Sequence, residues 1–197
     1  MIEFLTFMAP PFAACLLLVG IHAYLGIHIL EREVIFVDLS LAQVAALGGT
    51  IAVLLGHEIY SMTAYGFSLA AALIGAGVFT VTRSGDGRIS HEAIIGIVYA
   101  VSAAAGILVL DSAPHGAEHI KHLLVGSILW VSWADVGTTS LIYLAVGVIH
   151  YVYRQRFLTI SFDEQEARRK GWSIRKWDFL FYITFAFVNE CYILWNL

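Results

Sequence analysis

The chain has 197 residues, of which 59% are apolar and only 13% are charged, whereas an ordinary soluble domain carries about 25% charged residues. Together with a mean hydropathy of +0.80, this composition predicts an integral membrane protein rather than a soluble domain. The net charge of −4 comes with no basic groove containing interleaved aromatic residues, so no nucleic-acid partner is expected. The two cysteines, Cys15 and Cys191, lie in different apolar segments, which argues against a disulfide framework.

Apolar segments follow one another along the whole chain, and about 20 apolar residues cross a bilayer as a helix. The first segment is too long, and has too few basic residues before it, to be a cleaved secretory signal. We therefore predict an all-α polytopic transmembrane bundle that forms a single domain over residues 1–197. Its spans are predicted at 4–30, 34–55, 59–82, 93–110 and 137–153, with a sixth at 177–197 that is interrupted by Asp178, Asn189 and Glu190.

A shorter apolar stretch at 123–134 contains Trp130 and Trp133. It is too short to cross a bilayer, and tryptophan is enriched at membrane interfaces. We expect this stretch to be re-entrant or interfacial.

Seven of the eleven Lys and Arg residues lie in one loop, 154–176. Alternating spans put this loop on the same side as Arg32, Arg83 and Arg88, and leave only Lys121 on the other side. The positive-inside rule then makes the basic side cytoplasmic and the N-terminus extracytoplasmic.

Within this loop, the sequence F-D-E-Q-E-A-R-R-K-G at 162–171 has its acidic residues early and its basic residues late. This order suits the dipole of a short helix, with Gly171 as its C-terminal cap. Two interpretations follow: a juxtamembrane helix attracted to anionic lipids, or a helix that docks a soluble subunit. The residues that would form the docking helix are Phe162, Asp163, Glu164, Glu166, Ala167, Arg168, Arg169 and Gly171.

Four stretches, in this order, are similar to the integral-membrane permease subunit of ATP-binding cassette metal importers of the zinc and manganese type. They are 20–48, 91–106 (H-E-A-I-I-G-I-V-Y-A-V-S-A-A-A-G), 125–136 (V-G-S-I-L-W-V-S-W-A-D-V) and 162–171. The resemblance implies a location in the bacterial inner membrane and a divalent metal ion as transported substrate, with no tightly bound cofactor. It makes 162–171 the coupling helix for a cytoplasmic ATP-binding subunit. Further expected partners are an extracytoplasmic metal-binding protein and a second copy of the permease.

The chain itself has no G-x-x-x-x-G-K-[ST] phosphate loop, so it is not expected to be an enzyme, and ATP hydrolysis is expected on a separate polypeptide. Members of the family that the chain resembles continue for further helices, so the resemblance implies a truncated or frame-shifted C-terminus. Two alternatives to transport are a membrane redox subunit that holds haem or metal with His22, His28 or His150, and a scaffold that recruits a soluble partner through 154–176.

The chain departs from the family where metal is proposed to pass. The family has an Asp and a His four residues apart, and the corresponding positions here are Leu39 and Gln43, with Asp38 one position early. Asp38 and Gln43 are therefore the pathway candidates, although they lie roughly 140° apart on a helix and would not chelate one ion together. The alternative for Asp38 is an interfacial residue at a helix start, and for Gln43 a hydrogen bond between helices.

The outward loop D-S-A-P-H-G-A-E-H-I-K-H at 111–122 carries a stripe of potential metal ligands with helical spacings of three and four. Imidazole and carboxylate groups suit zinc and manganese, so the stripe is a candidate hand-off site for an incoming ion. A solvated amphipathic face is the alternative. The stripe consists of His115, Glu118, His119 and His122.

Overall fold

The computed structural model describes residues 2–58, 61–83, 89–112 and 128–194, and within these ranges the chain forms helices and turns without a strand. This confirms the predicted all-α class. The helices are α1 (Ile2–Glu31), α2 (Val37–Leu54), α3 (Met62–Thr82), α4 (His91–Asp111), α5 (Trp133–Val152), α6 (Arg154–Phe162), α7 (Glu164–Arg169) and α8 (Ile174–Leu194).

Five helices in the described part of the chain, α1 to α5, are long and apolar enough to cross a membrane. The sixth predicted span corresponds to α8, in which Asp178, Asn189 and Glu190 interrupt the apolar sequence. Helix α8 packs against α2, α3 and α5, so that protein rather than lipid surrounds its polar residues Asp178, Thr184 and Glu190, all of which are buried. The aromatic core forms around it from Phe79, Phe157, Phe181, Tyr182 and Phe185.

The stretch predicted to be re-entrant or interfacial, 123–134, is described only in part. Residues 123–127 lie outside the described ranges, Ile128–Trp130 form one 3-10 turn, and Trp133 already belongs to α5. The helix begins four residues earlier than predicted because Ser132 and Asp135 form a capping box, in which each side chain accepts from the backbone N–H of the other. The turn lies beside α1, where Trp130 meets the Phe7 ring edge-to-face at 6.5 Å.

Helices α2 and α3 approach each other closely at Gly48. A Cβ atom at Gly48 would lie 2.5 Å from the Phe67 carbonyl oxygen and 2.6 Å from the Ala71 Cβ. The carbonyl oxygen belongs to the backbone and the Cβ atom is bonded directly to it, so no side-chain rotation can move either atom away. Close packing through small residues is the usual means by which helices associate in a membrane.

We expect Gly48→Ala to force α2 and α3 apart and to destabilise the bundle by about 1–3 kcal/mol, the usual effect of overpacking. The matched control is Gly66→Ala in α3, where an added Cβ meets nothing within 4 Å. The midpoint of thermal unfolding in detergent would fall for the first variant alone. Equal midpoints would show that the α2–α3 contact is looser than described.

Candidate coupling site

A buried carboxylate at the start of α8 is shared by two arginines from other helices. Asp178 Oδ1 accepts from Arg32 Nη1 at 2.7 Å, and its Oδ2 accepts from Arg83 Nη1 at 2.5 Å. Arg32 follows the end of α1, and Arg83 follows the end of α3. The side chains of Asp178 and Arg32 are fully buried, and Arg32 also lies over the Phe181 ring at 4.2 Å. One side chain thus holds the ends of three long helices together.

The same network reaches the surface helix α7 through Glu164. Arg83 uses its second nitrogen, Nη2, to donate to Glu164 Oε2 at 2.6 Å. Arg168, one turn along α7, donates to the other oxygen of Glu164 at 2.6 and 3.1 Å. An unbroken series of charge-assisted contacts therefore runs from Arg168 through Glu164, Arg83 and Asp178 to Arg32.

A second arm extends the network to α6. Ser161 accepts from Arg32 Nε at 2.8 Å, which leaves its own hydroxyl proton available for His28 Nδ1 at 2.9 Å. His28 lies in α1, one turn before Arg32. The junction of α6 with α7 is thereby tied to the end of α1 as well.

Contacts within the network stabilise the charged forms of Glu164 and Arg83. Partial burial alone would raise the pKa of Glu164, but hydrogen bonds from Arg168 and the positive charge of Arg83 bring it below the ordinary value of 4.5. Because the pKa of Glu164 is lower in the folded protein, its pairing contributes fully to the free energy of unfolding above pH 4.5. This contribution is lost only as the pH falls through the lower pKa of the folded state. Burial on its own would lower the pKa of Arg83, but the negative charges of Asp178 and Glu164 raise it by more.

Sequence reasoning named Glu164 but missed the residues that connect it to the membrane helices. Arg32 and Arg83 were counted only as indicators of orientation, and Asp178 only as an interruption of an apolar segment. The sequence nevertheless indicated a buried ion pair, because an ionisable residue within an apolar segment usually has a partner. The two partners are 146 and 95 positions away in sequence.

The residues predicted to form the docking helix lie in two elements rather than one. Phe162 ends α6, and Asp163 caps α7 by accepting from the Glu166 N–H at 2.8 Å. Gly171 has a φ of +72°, and Trp172 N–H bonds back to the Ala167 carbonyl at 3.1 Å, which closes the helix. Ala167 is fully buried against the bundle, whereas Arg168 and Arg169 are exposed.

The two pathway candidates lie apart. Gln43 lines a cavity of about 290 Å³ between α2 and α4, together with Thr50, Tyr99 and Ser102, whereas Asp38 is absent from its lining. Asp38 lies in the first turn of α2, half-buried, and its backbone carbonyl accepts from the Asn189 side chain at 3.2 Å. The cavity lining carries polar groups but no charge.

The predicted metal stripe, His115, Glu118, His119 and His122, lies outside the described residues. Within the described ranges, no group of three or more His, Cys, Asp or Glu side chains is arranged to hold a metal ion.

The histidines inside the spans have ordinary hydrogen-bond partners. The Thr184 hydroxyl donates to the Phe181 carbonyl, so it accepts from His150 Nε2 at 2.9 Å, and His150 Nδ1 then accepts from Tyr24 at 3.2 Å. His22 donates to the Leu18 carbonyl at 2.9 Å. Both ring nitrogens of His150 are therefore occupied, which leaves no lone pair for haem iron.

Removing the charge of Asp178 should unfold much of this end of the bundle. In Asp178→Asn the fully buried Arg32 and the partly buried Arg83 lose their shared counter-charge, and breaking a buried pair in this way costs about 3–5 kcal/mol. The control is Asp163→Asn, because asparagine caps a helix about as well as aspartate. We expect a large fall in the thermal unfolding midpoint in detergent for the first variant and little change for the second. Similar midpoints for the two variants would contradict the described network.

The chain is similar to membrane proteins of metal transport systems. A probable metal transport system membrane protein of Chlamydia pneumoniae is 26% identical over 186 residues, covering 92% of this chain and 62% of the relative. The manganese transport system membrane protein MntC of Listeria innocua is 27% identical over 151 residues, covering 77% and 51%. The chain therefore spans about half to two thirds of the length of these curated relatives.

Two solved structures share the fold. PsaBC from Streptococcus pneumoniae in complex with Fab superposes with a TM-score of 0.74 at 19% identity, covering 98% of this chain and 68% of that chain. An inward-facing conformation of a putative metal-chelate type ABC transporter gives a TM-score of 0.69 at 17% identity, covering 94% and 61%.

The family comparison covers nearly the whole chain, since residues 4–189 match the ABC 3 transport family. It confirms the predicted resemblance to a transporter permease. The chain belongs to the ABC 3 transport family.

Proposed function

We propose that this chain is the membrane permease subunit of an ATP-binding cassette importer for a divalent metal cation, driven by a separate ATPase that docks on α7. The observation that carries the proposal is the contact between Glu164 of α7 and Arg83, because it joins a surface helix to the buried ends of the spans. Family membership and relatives named as metal transport proteins support the same conclusion.

The expected orientation is consistent with this geometry. Arg32, Arg83 and the start of α8 contact one another and α7, so the basic residues that the positive-inside rule uses lie at one end of the bundle. We assign this end to the cytoplasm, where the ATP-binding subunit would reach α7. An extracytoplasmic metal-binding protein would deliver the ion to the opposite end, and a second copy of the chain would complete the permease.

The network provides a physical means of transmission. When closure of the ATPase displaces α7, the pair Glu164–Arg83 pulls on the end of α3, and Asp178 passes the displacement to α8 and, through Arg32, to α1. Buried ion pairs resist separation far more than exposed pairs, so the connected helix ends would move as a unit. Such rigid-body rocking is the usual way in which a transport path changes access.

The ion path is proposed to pass by Gln43, whose mostly apolar cavity carries a few polar groups and no charge among its lining residues. A carboxamide is a weaker metal ligand than the histidine of the family pattern. We place the ion in the zinc and manganese class from the names of the relatives, and the outward residues His115, Glu118, His119 and His122 remain the candidates for receiving it.

Docking is tested by altering the exposed face of α7 without touching its buried contacts. We expect Arg169→Glu to reduce capture of the cognate ATPase at least ten-fold in a detergent pull-down, because the side chain is exposed and pairs only with Glu166 of the same helix. Arg154→Glu, an equal charge reversal outside α7, is the control. Undiminished capture by Arg169→Glu, or equal loss in both variants, would contradict docking on α7.

The path is tested by uptake of zinc and manganese in cells that also express the ATPase. Gln43→Leu removes a polar group from the cavity and should lower uptake several-fold, whereas Asp38→Asn, outside the cavity lining, should not. Reduced uptake by Asp38→Asn together with normal uptake by Gln43→Leu would assign the path to Asp38 instead.

A further inference from the structure

The basic residues of the 154–176 loop fall into two groups that differ in how their charges are satisfied. In α7, Arg168 pairs with Glu164 at 2.6 Å, Arg169 with Glu166 at 2.9 Å, and Lys170 with Glu166 at 3.3 Å. Each of these cations thus has an ion-pair partner in α7. The second group, which we call the basic collar, behaves differently and consists of Arg154, Arg156, Arg175 and Lys176.

All four collar side chains are exposed, and none forms an ion pair within the described ranges of the chain. Two of them rest on aromatic rings instead. Arg156 lies over Trp177 at 4.7 Å and over Trp172 at 5.6 Å, and Arg154 lies over Tyr151 at 4.6 Å. Such contacts hold a guanidinium in place but leave its charge uncompensated.

The position of the collar indicates what compensates that charge. On α5 an apolar stripe of Leu144, Val148 and Val152 is exposed over half or more of each side chain, and it leads directly to Arg154. Tyr151 and Tyr153 are also exposed here, and Tyr153 packs on Trp177 with ring centroids 5.1 Å apart. An apolar exterior followed by aromatic rings and then by Arg and Lys is the order expected across the boundary from acyl chains to headgroups.

We propose that the basic collar binds the phosphate headgroups of anionic phospholipids. The collar carries four positive charges that have no ion-pair partner in the described part of the chain, and it borders the surface that faces the acyl chains. Anionic headgroups in the adjoining leaflet are therefore the complementary partner. The docking helix and the lipid-binding surface then use different residues of one loop.

The test uses the tryptophans that lie within the collar. In a background with Trp130→Phe, Trp133→Phe and Trp195→Phe, the remaining fluorescence comes from Trp172 and Trp177. The full chain is reconstituted in phosphatidylcholine bilayers, and quenching by brominated phosphatidylglycerol is compared with quenching by brominated phosphatidylcholine. The ratio gives the local preference for the anionic lipid.

We expect a clear preference for phosphatidylglycerol that decreases several-fold as salt is raised, because the headgroup contacts are screened. Each collar charge removed should lower the preference about five-fold, the equivalent of about 1 kcal/mol, so Arg156→Gln with Lys176→Gln should lower it on the order of 25-fold. Arg168→Gln with Arg169→Gln removes the same charge from α7 and should leave it unchanged.

Equal losses in the two double variants would overturn the proposal, since the effect would then follow total charge rather than the collar. A wild-type preference that is absent, or that is insensitive to salt, would overturn it without reliance on any collar variant. Capture of the ATPase in detergent is a separate readout, so failure of the lipid result and failure of docking are distinguishable.

Discussion

The structure depends on one carboxylate that is shared by two arginines. Asp178 would be expensive to bury alone, and so would Arg32, yet together with Arg83 they form a compact cluster at the point where three long helices end. The cluster explains how the start of α8 can lie beside the ends of α1 and α3 although it carries the buried carboxylate of Asp178. It also fixes the end of α1, because Arg32 has no comparable partner elsewhere in the described chain.

From this cluster a single further ion pair reaches the surface. Glu164 is only partly buried, but Arg83 is held in place from the other side by Asp178, so the pair loses less side-chain freedom on forming than an isolated surface pair would. The short helix α7 is therefore attached to the bundle by Glu164 and by the buried Ala167, while its arginines point outward. An attached but accessible helix is the arrangement that docking and transmission both need.

Much of this fold could be predicted from sequence because lipid imposes a simple rule on length and polarity. Four uninterrupted apolar segments gave α1 to α4 within a few residues. The start of α5 was missed because the Ser132–Asp135 capping box, a local hydrogen-bond effect, extends the helix beyond its apolar segment. The short helix α7 was visible in its charge order and in Gly171, which the structure places at positive φ.

The candidate site was less accessible to sequence reasoning, because it consists of contacts between residues 81 to 146 positions apart. The sequence shows a charged residue, Asp178, within an apolar segment. Only the packing of α8 beside the ends of α1 and α3 shows which arginines pair with it. The cavity at Gln43 is a similar case, since its polar lining comes from both α2 and α4.

The most direct test of the account measures metal uptake per ATP hydrolysed in proteoliposomes that contain the permease, its ATPase and the binding protein. Glu164→Gln weakens the only described ion pair between α7 and the spans, whereas Glu166→Gln alters pairs that lie within α7. The account predicts that Glu164→Gln retains ATP hydrolysis but loses most uptake per ATP, and that Glu166→Gln keeps the wild-type ratio. An unchanged ratio in Glu164→Gln would contradict transmission through this network.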